Sequence, residues 1–456
     1  MIEFVVGAGG KTSYIHQRAK EELALGRRVL VCTSTHMLIE DDTLITDQVS
    51  EIKERLDRCG YCMAGSQASD QKMGPLDREV YLSACKLADV VLVEADGSKH
   101  HPIKACNQTE PVIYDNAEKI TVIMGMHALN KPFEEAAFRL EQVCSLLDVK
   151  PEETVTPDHI VQLIQKAYLQ PLREKYPDVA IEVHCVGYTL YQKAVAAMIN
   201  QGQDVSILHP AWFSEKPVLF LCGGGHVSLA LAKMAAILEM DVIVMDDRQE
   251  FANSDRFSMA KQVICDDYAN LHRYLLPNAY YVIVTSGHMA DSICARQLLP
   301  INAPYLGMIG SKVKVARAKE ALKDVWSDRI YAPIGLDIRA NTPSEIAVSI
   351  LAQIIQVKNA SAHSSASREL LETTKNGVLC ILIEKKGSSP RDIGSMMLVT
   401  DDGVIDTIGG GILESRVIQR AKTIDSVTSE KVVLEDIGMA CAGSNTVLYI
   451  PICLYS

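Results

Sequence analysis

The stretch "FVVGAGGKTSYI", residues 4–15, decides how the first third of this chain is read. An apolar run leads into glycines, then a lysine and two hydroxyl residues, then a segment with helical spacing. A Walker A loop has the form G-x-x-x-x-G-K-[ST]. Counting back from Gly10 and Lys11 puts its first glycine at position 5, which is Val5, while the available glycine is Gly7, so this loop is shorter. Its chemistry still suits a phosphate. Gly7, Gly9 and Gly10 let backbone N–H groups turn inward, the following helix adds partial positive charge at its N-terminus, and Lys11 neutralises. Thr12 or Ser13 offers a hydroxyl to Mg²⁺.

Working outward, "IEFVV" reads as a strand, "TSYIHQRAKEELALG" as a helix ended by Gly26, and "RRVLVCTSTH" as the next strand. This is a βαβ unit, so parallel strands are expected. "DVVLVEADGS" (89–98) sets Glu94 and Asp96 at a strand end, where a metal-holding or water-orienting carboxylate belongs in such a nucleotide site. The first module is placed at residues 1–212.

A second module, 216–357, follows "LHPAWFSEKP" with another strand, glycine turn, helix and strand. "GGGHVS" (223–228) supplies Gly223, Gly225 and His226, and Asp246 and Asp247 lie at the end of the next strand. That nearly satisfies the dinucleotide fingerprint, with Asp246 or Asp247 positioned for a ribose hydroxyl and an NAD(P)-like dinucleotide as a candidate ligand. Further polar groups at strand ends are His288 and Asp291 in "TSGHMAD", and Gly310, Ser311 and Lys312 in "IGSK". Residues 358–368, small and polar, read as a linker. The last module, 369–456, alternates short strands with turns. Its "GSSPR" and "TIGGGILES" loops carry Ser389, Arg391, Gly409, Gly410, Gly411 and Glu414, a composition suited to backbone nests for phosphate or oxyanions. The expected class is α/β: a P-loop-like parallel-sheet domain, a doubly wound Rossmann domain and a small C-terminal α+β domain.

Composition bounds the partners. The chain has 456 residues, 48% hydrophobic and 22% charged, with a net charge of −12. That balance argues against nucleic acid or an anionic membrane surface as the main partner. No apolar run is long enough for a membrane helix, and "MIEF" lacks the basic start of a signal peptide. The thirteen cysteines read as reduced thiols of a cytoplasmic protein, and the "CGYC" at 59–62 as incidental.

Residues 217–356, with "CGGGHVSLALAKMAAILEMDVIVMDDRQEFAN", "TSGHMAD", "YLGMIGSK" and "APIGLDIRANTPSEIAVSIL", resemble the Rossmann domain of the XdhC/CoxI family. Residues 376–451 resemble that family's other domain through "GSSPRDIGSMMLV", "DTIGGGILESRVI" and "GMACAG". Residues 1–165 resemble the YqeC family through "VGAGGKTS", "VLVCTSTH", "VVLVEADGS", "PIKACNQTEPVI" and "MHALNKP". The order of the two XdhC-like domains is the reverse of the usual one, and the family's Cys-Gly-Gly reads Cys441-Ala442-Gly443. The resemblance implies a maturation factor for a molybdenum hydroxylase such as xanthine dehydrogenase. In that family the molybdenum cofactor is bound, protected and helped to acquire its terminal sulfur, and YqeC proteins are associated with selenium-dependent hydroxylases. From its own residues, the first module is expected to bind ATP or GTP through Lys11, Thr12, Glu94 and Asp96, with Thr12 and Asp96 as ligands of Mg²⁺. The two XdhC-like modules would hold molybdenum cofactor, with the Cys441 thiolate as catalytic group and metal contact. Expected partners are the hydroxylase client, a cysteine desulfurase or selenium donor, and a second copy of the chain in a homo-oligomer. Two other classes compete: an NAD(P)-dependent oxidoreductase built on the Rossmann module, and a small-molecule kinase or ligase run by the first module alone.

Overall fold

A computed structural model describes residues 1–214, 217–276, 278–360, 365–387, 391–434 and 443–452. The chain forms two compact units: Met1–Leu208 together with Glu372–Ser456, and His209–Leu371. No helix among the described residues is long and apolar enough to cross a membrane.

The apolar opening of the chain becomes strand β1 (Ile2–Ala8), and the helix α1 (Lys11–Ala24) starts at the lysine itself, with Gly10 as its cap. Strands β2 (Val29–Thr33), β3 (Tyr61–Ser69), β4 (Val90–Glu94), β5 (Lys119–Gly125) and β6 (Ala180–Val186) complete the parallel core. The order is β6-β5-β1-β4-β2-β3, with short strands continuing beyond β3. Every pair in that core is parallel. The central strands are buried along their length, as sheets covered by helices on both faces require. The consequence for function is adjacency. Because β4 pairs directly with β1, with Val5 opposite Glu94, the acids after β4 meet the glycine loop after β1 at the same sheet edge.

Within the same unit, helix α2 (Leu190–Asn200) packs against the C-terminal strands, and the backbone N–H of Val427 donates to Gln201 Oε1 at 2.6 Å.

The other unit has strands β7 (Val218–Cys222), β8 (Asp241–Asp246), β9 (Gln262–Cys265), β10 (Tyr280–Ile283), β11 (Tyr305–Met308) and β12 (Ile330–Tyr331). They run β9-β8-β7-β10-β11-β12, all parallel, which is the doubly wound Rossmann order. Period-two alternation divides the core in two. Phe220 and Cys222 face helix α4 (His288–Leu298), while Leu219 and Leu221 face α3 (His226–Ile237) and α6 (Pro343–Lys358). Helix α5 (Lys312–Ala321) follows β11.

The C-terminal segment is an antiparallel five-stranded sheet. Its order is β15 (Gly403–Asp406), β14 (Met396–Thr400), β13 (Gly377–Gly387), β17 (Gly443–Ile452), β16 (Thr428–Val433). Helix α7 (Gly411–Ala421) lays Leu413, Val417 and Ala421 on it, giving the α+β layer the turn spacing predicts.

Gly7 shows how tightly the first loop is seated. It has φ +102°, and a Cβ there would stand 2.1 Å from the Ile123 carbonyl oxygen. Gly26 has φ +75° with open space around it. Gly7→Ala is therefore expected to cost upward of about 3 kcal/mol through strain and overpacking. Gly26→Ala should cost only the left-handed backbone penalty of about 1–2 kcal/mol. Urea denaturation of the two variants checks this ordering.

Candidate functional site

The glycine loop opens onto a cavity of about 700 Å³. Gly9, Gly10, Lys11, Thr12, Ser13 and Glu94 line it, so six of the eight residues expected of a nucleotide site share one wall. Gly7 and Asp96 lie behind that wall and hold it. The Asp96 carboxylate is completely buried. It accepts from the Gly7 N–H at 3.0 Å and pairs with Lys11 Nζ at 2.9 Å and Lys104 Nζ at 2.5 Å. Lys11 also donates to its own loop, at the Gly7 carbonyl, 2.8 Å away. Asp96 thus has its oxygens engaged by the protein. The pair facing the cavity is Thr12 and Glu94, whose hydroxyl and carboxylate stand 3.4 Å apart. A hydroxyl and a carboxylate beside this glycine loop fit Mg²⁺, which keeps several waters and takes few protein ligands. Among the described residues no cluster of three or more His, Cys, Asp or Glu could hold a metal by itself.

Burial raises the Glu94 pKa above the usual carboxylate range, with Asp96 adding to the rise and Lys11 and Thr12 opposing it. Burial pulls the Lys104 ammonium below its ordinary value, and Asp96 works against that. Nothing in the sequence pattern assigns Lys104 a role. It enters through a two-residue strand, Ile103–Lys104, which pairs with Ala137–Phe138 and so also delivers Arg139. Glu110 joins them, 2.5 Å from Arg139 Nη2 and 3.7 Å from Lys104 Nζ. The signal that could have found Lys104 is a lysine directly after Pro102 and Ile103, in a segment already matched to a family motif.

In the Rossmann unit the glycine loop sits at the topological switch point, and a Cβ on Gly223 (φ +118°) would lie 2.4 Å from the Val284 carbonyl oxygen. Gly225 caps α3, and His226, its first residue, is exposed. Asp246 is fully buried and occupied. It accepts from the Gly224 N–H at 2.7 Å, the Arg248 N–H at 3.0 Å, and the Arg248 guanidinium at 2.9 and 3.0 Å. Burial raises its pKa, but these bonds outweigh it and hold the carboxyl below the usual range. Asp247 is the exposed acid of the pair. A separate cavity of about 380 Å³ is lined by His288, Asp291 and Ser311. Asp291 there accepts from Thr285 Oγ1 at 2.6 Å and pairs with Lys314, and Ser311 caps α5. Gly310 and Lys312 are not part of that lining.

In the C-terminal segment Glu414 turns onto its own loop, accepting from the Gly410 N–H at 3.0 Å and from the Thr407 hydroxyl. Gly409, Gly410 and Gly411 all have positive φ, and Arg391 is exposed. Ser389 and Cys441 lie outside the described residues. Of the "CGYC" thiols Cys59 is exposed and Cys62 is buried, which pushes the latter up to about 11.

Three family models match successive parts of the chain: "YqeC protein" at 4–141, "XdhC Rossmann domain" at 219–354, and "XdhC and CoxI family" at 370–434. The chain therefore joins a YqeC-type segment to two XdhC-type segments. The uncharacterized protein YqeC of Escherichia coli (strain K12) is 31% identical over 174 residues, covering 35% of this chain and 66% of that protein. A probable xanthine dehydrogenase subunit from Bacillus subtilis (strain 168) is 32% identical over 169 residues, covering 34% of this chain and 51% of that protein. The chain thus spans about half to two thirds of these relatives. Among solved structures, a xanthine dehydrogenase from Bacillus halodurans is 31% identical, covering 32% of this chain and 46% of that one, with a TM-score of 0.31.

Two outcomes follow from the buried acids. Asp96→Asn strands Lys11 without its ion-pair partner and leaves Lys104 only Glu110, 3.7 Å away, a loss of about 3–5 kcal/mol in denaturant unfolding. For Glu94, the folded chain holds a proton that the unfolded chain has already lost once pH passes the ordinary carboxylate value. Stability should therefore fall as pH rises from that value to the raised one, and Glu94→Gln should flatten this part of the profile. Parallel profiles for wild type and variant would refute it.

Proposed function

We propose that this chain, joining a YqeC-type segment to two XdhC-type segments, is an accessory factor that matures a molybdenum hydroxylase of the xanthine dehydrogenase type. Its first module binds ATP or GTP with Mg²⁺. The observation that carries the reading is the co-location, in one chain, of the Lys11 cavity with segments matching the XdhC family. The similarity to a probable xanthine dehydrogenase component supports the choice of client.

The roles divide by chemistry. Gly9 and Gly10 present backbone donors and Lys11 a charge to the terminal phosphates, as loops before a helix N-terminus do. Thr12 and Glu94 take the metal's protein-side positions. Asp96 acts as a positioning residue: it keeps Lys11 and the Gly7 backbone in place without touching the ligand. Mg²⁺, when bound, neutralises phosphate charge. Client recognition, the choice of sulfur or selenium, and the partnership with a cysteine desulfurase or selenium donor belong to the same proposal. Loading of molybdenum cofactor is assigned to the XdhC-type modules on the family matches. Among the described residues there, Glu414 bonds into its own glycine loop and Asp246 is held by Arg248, while the cavity of about 380 Å³ at His288, Asp291 and Ser311 remains. Asp246's engagement also weighs against the dehydrogenase alternative.

The test uses the full chain. Calorimetric titration should give Mg²⁺-dependent binding of ATP or GTP, weakened at least about tenfold by Lys11→Ala, the loss of one charge-assisted phosphate contact. In activation of cofactor-free hydroxylase by molybdenum cofactor, the chain should raise the yield of active enzyme in a nucleotide-dependent way. No gain with any nucleotide would overturn the maturation role.

A further inference from the structure

The first cavity is also lined by residues that a phosphate grip at Lys11 does not use: Lys99, His100, His101, Phe138 and Arg139. They meet because the strand Ile103–Lys104 pairs in parallel with Ala137–Phe138, Phe138 opposite Lys104. Around the Phe138 ring sit the Arg139 guanidinium at 5.2 Å, the Lys99 ammonium at 5.3 Å, and the His101 ring stacked at 6.0 Å and 19°. Cation–π attraction holds positive charge at a fixed place on such a ring. Glu110 answers Arg139 and is shared with Lys104, while Lys99 is in no ion pair among the described residues. Because Glu110 lines the cavity too and offsets Arg139, Lys99 supplies the wall's uncompensated positive charge, in a chain whose net charge is −12.

The backbone gives an independent observation. Lys99, His100 and Arg139 have φ of 47°, 67° and 61°, three of the nine non-glycine residues with positive φ among those described. Left-handed backbone at such residues is unfavourable by about 1–2 kcal/mol each, and strain of this kind concentrates where a ligand is gripped. A lysine, a histidine and an arginine in that conformation on one cavity wall need a reason, and glycine or asparagine would be easier at each.

We propose that this wall is a second subsite, which takes a phosphate group, free or esterified to a small molecule, at the same time as nucleotide occupies the glycine loop. Lys99 offers the phosphate a point charge, while Arg139, whose Nη1 donates to the Ala105 carbonyl at 3.1 Å and Nη2 to Glu110 at 2.5 Å, holds the wall beside it in place. The inference rests on the nucleotide reading above and makes the first module a two-substrate site. The ion-pair chain Lys11–Asp96–Lys104–Glu110–Arg139, buried at its first three members and half-buried at its last two, joins the two subsites.

The test uses the full chain with Mg²⁺ and a non-hydrolysable ATP analogue. Orthophosphate and phenyl phosphate are titrated separately and followed by ³¹P line broadening. Wild type should bind a phosphate probe with the analogue present, and the tighter of the two probes identifies free phosphate or an ester as the source. Lys99→Asn keeps a residue that tolerates left-handed backbone, and should weaken the probe at least about tenfold while changing analogue affinity less than about threefold. Lys99 is exposed, so this variant is expected to fold. Exclusion of both probes by the analogue, or equal loss of probe and analogue in the variant, would overturn the subsite. Probe binding that depends on Lys99 in a chain that takes no nucleotide would instead overturn the nucleotide reading and leave the subsite standing.

Discussion

The buried carboxylate of Asp96 is the constraint on which the first site depends. It comes two residues after β4, at zero exposure, and binds a backbone N–H of the glycine loop and two lysines from different parts of the chain. A buried charge is tolerated only when such partners satisfy it. The same contacts that stabilise Asp96 fix where Lys11 points and how the loop after β1 turns. The parallel pairing of β1 with β4 is what brings these groups to one sheet edge.

The device recurs. In the Rossmann unit Asp246, at the end of β8, accepts from the Gly224 N–H. In the C-terminal segment Glu414 accepts from the Gly410 N–H. Each glycine-rich loop therefore has one backbone donor answered by a carboxylate of its own module. The difference lies in what remains. Around Asp96, Lys11 and further loop donors still line a large cavity. Around Asp246 the Arg248 fork closes the acid off, and around Glu414 the carboxylate itself sits in the loop. A glycine motif alone does not distinguish an open phosphate grip from one already filled.

This explains which parts of the site were legible in the sequence. The strand, loop and helix from Ile2 to Ala24 are local, and glycines before a lysine at a helix start say what that backbone does. Glu94 and Asp96 were visible because strand ends carry function in parallel sheets, although alternation did not tell which of them faces the cavity. Lys104, Glu110 and Arg139 arrive through a strand pair two residues long, which leaves no periodic trace. The role of Asp246 turned on a side chain two positions later folding back, a rotamer choice outside any pattern. The doubly wound Rossmann class followed from its strand, glycine turn, helix and strand, and the small α+β C-terminal layer from short strands spaced by turns; their strand orders did not. That the C-terminal segment forms one compact unit with the first depends on contacts remote in sequence, such as Gln201 with Val427.

Hydrogen–deuterium exchange on the full chain, with and without ATP and Mg²⁺, tests the central claim most directly. If the Asp96-anchored cavity is the nucleotide site, added protection should appear at residues 7–13, 94–110 and 137–139, with 223–228 unchanged. Protection confined to 223–228, or none anywhere at saturating nucleotide, would contradict it.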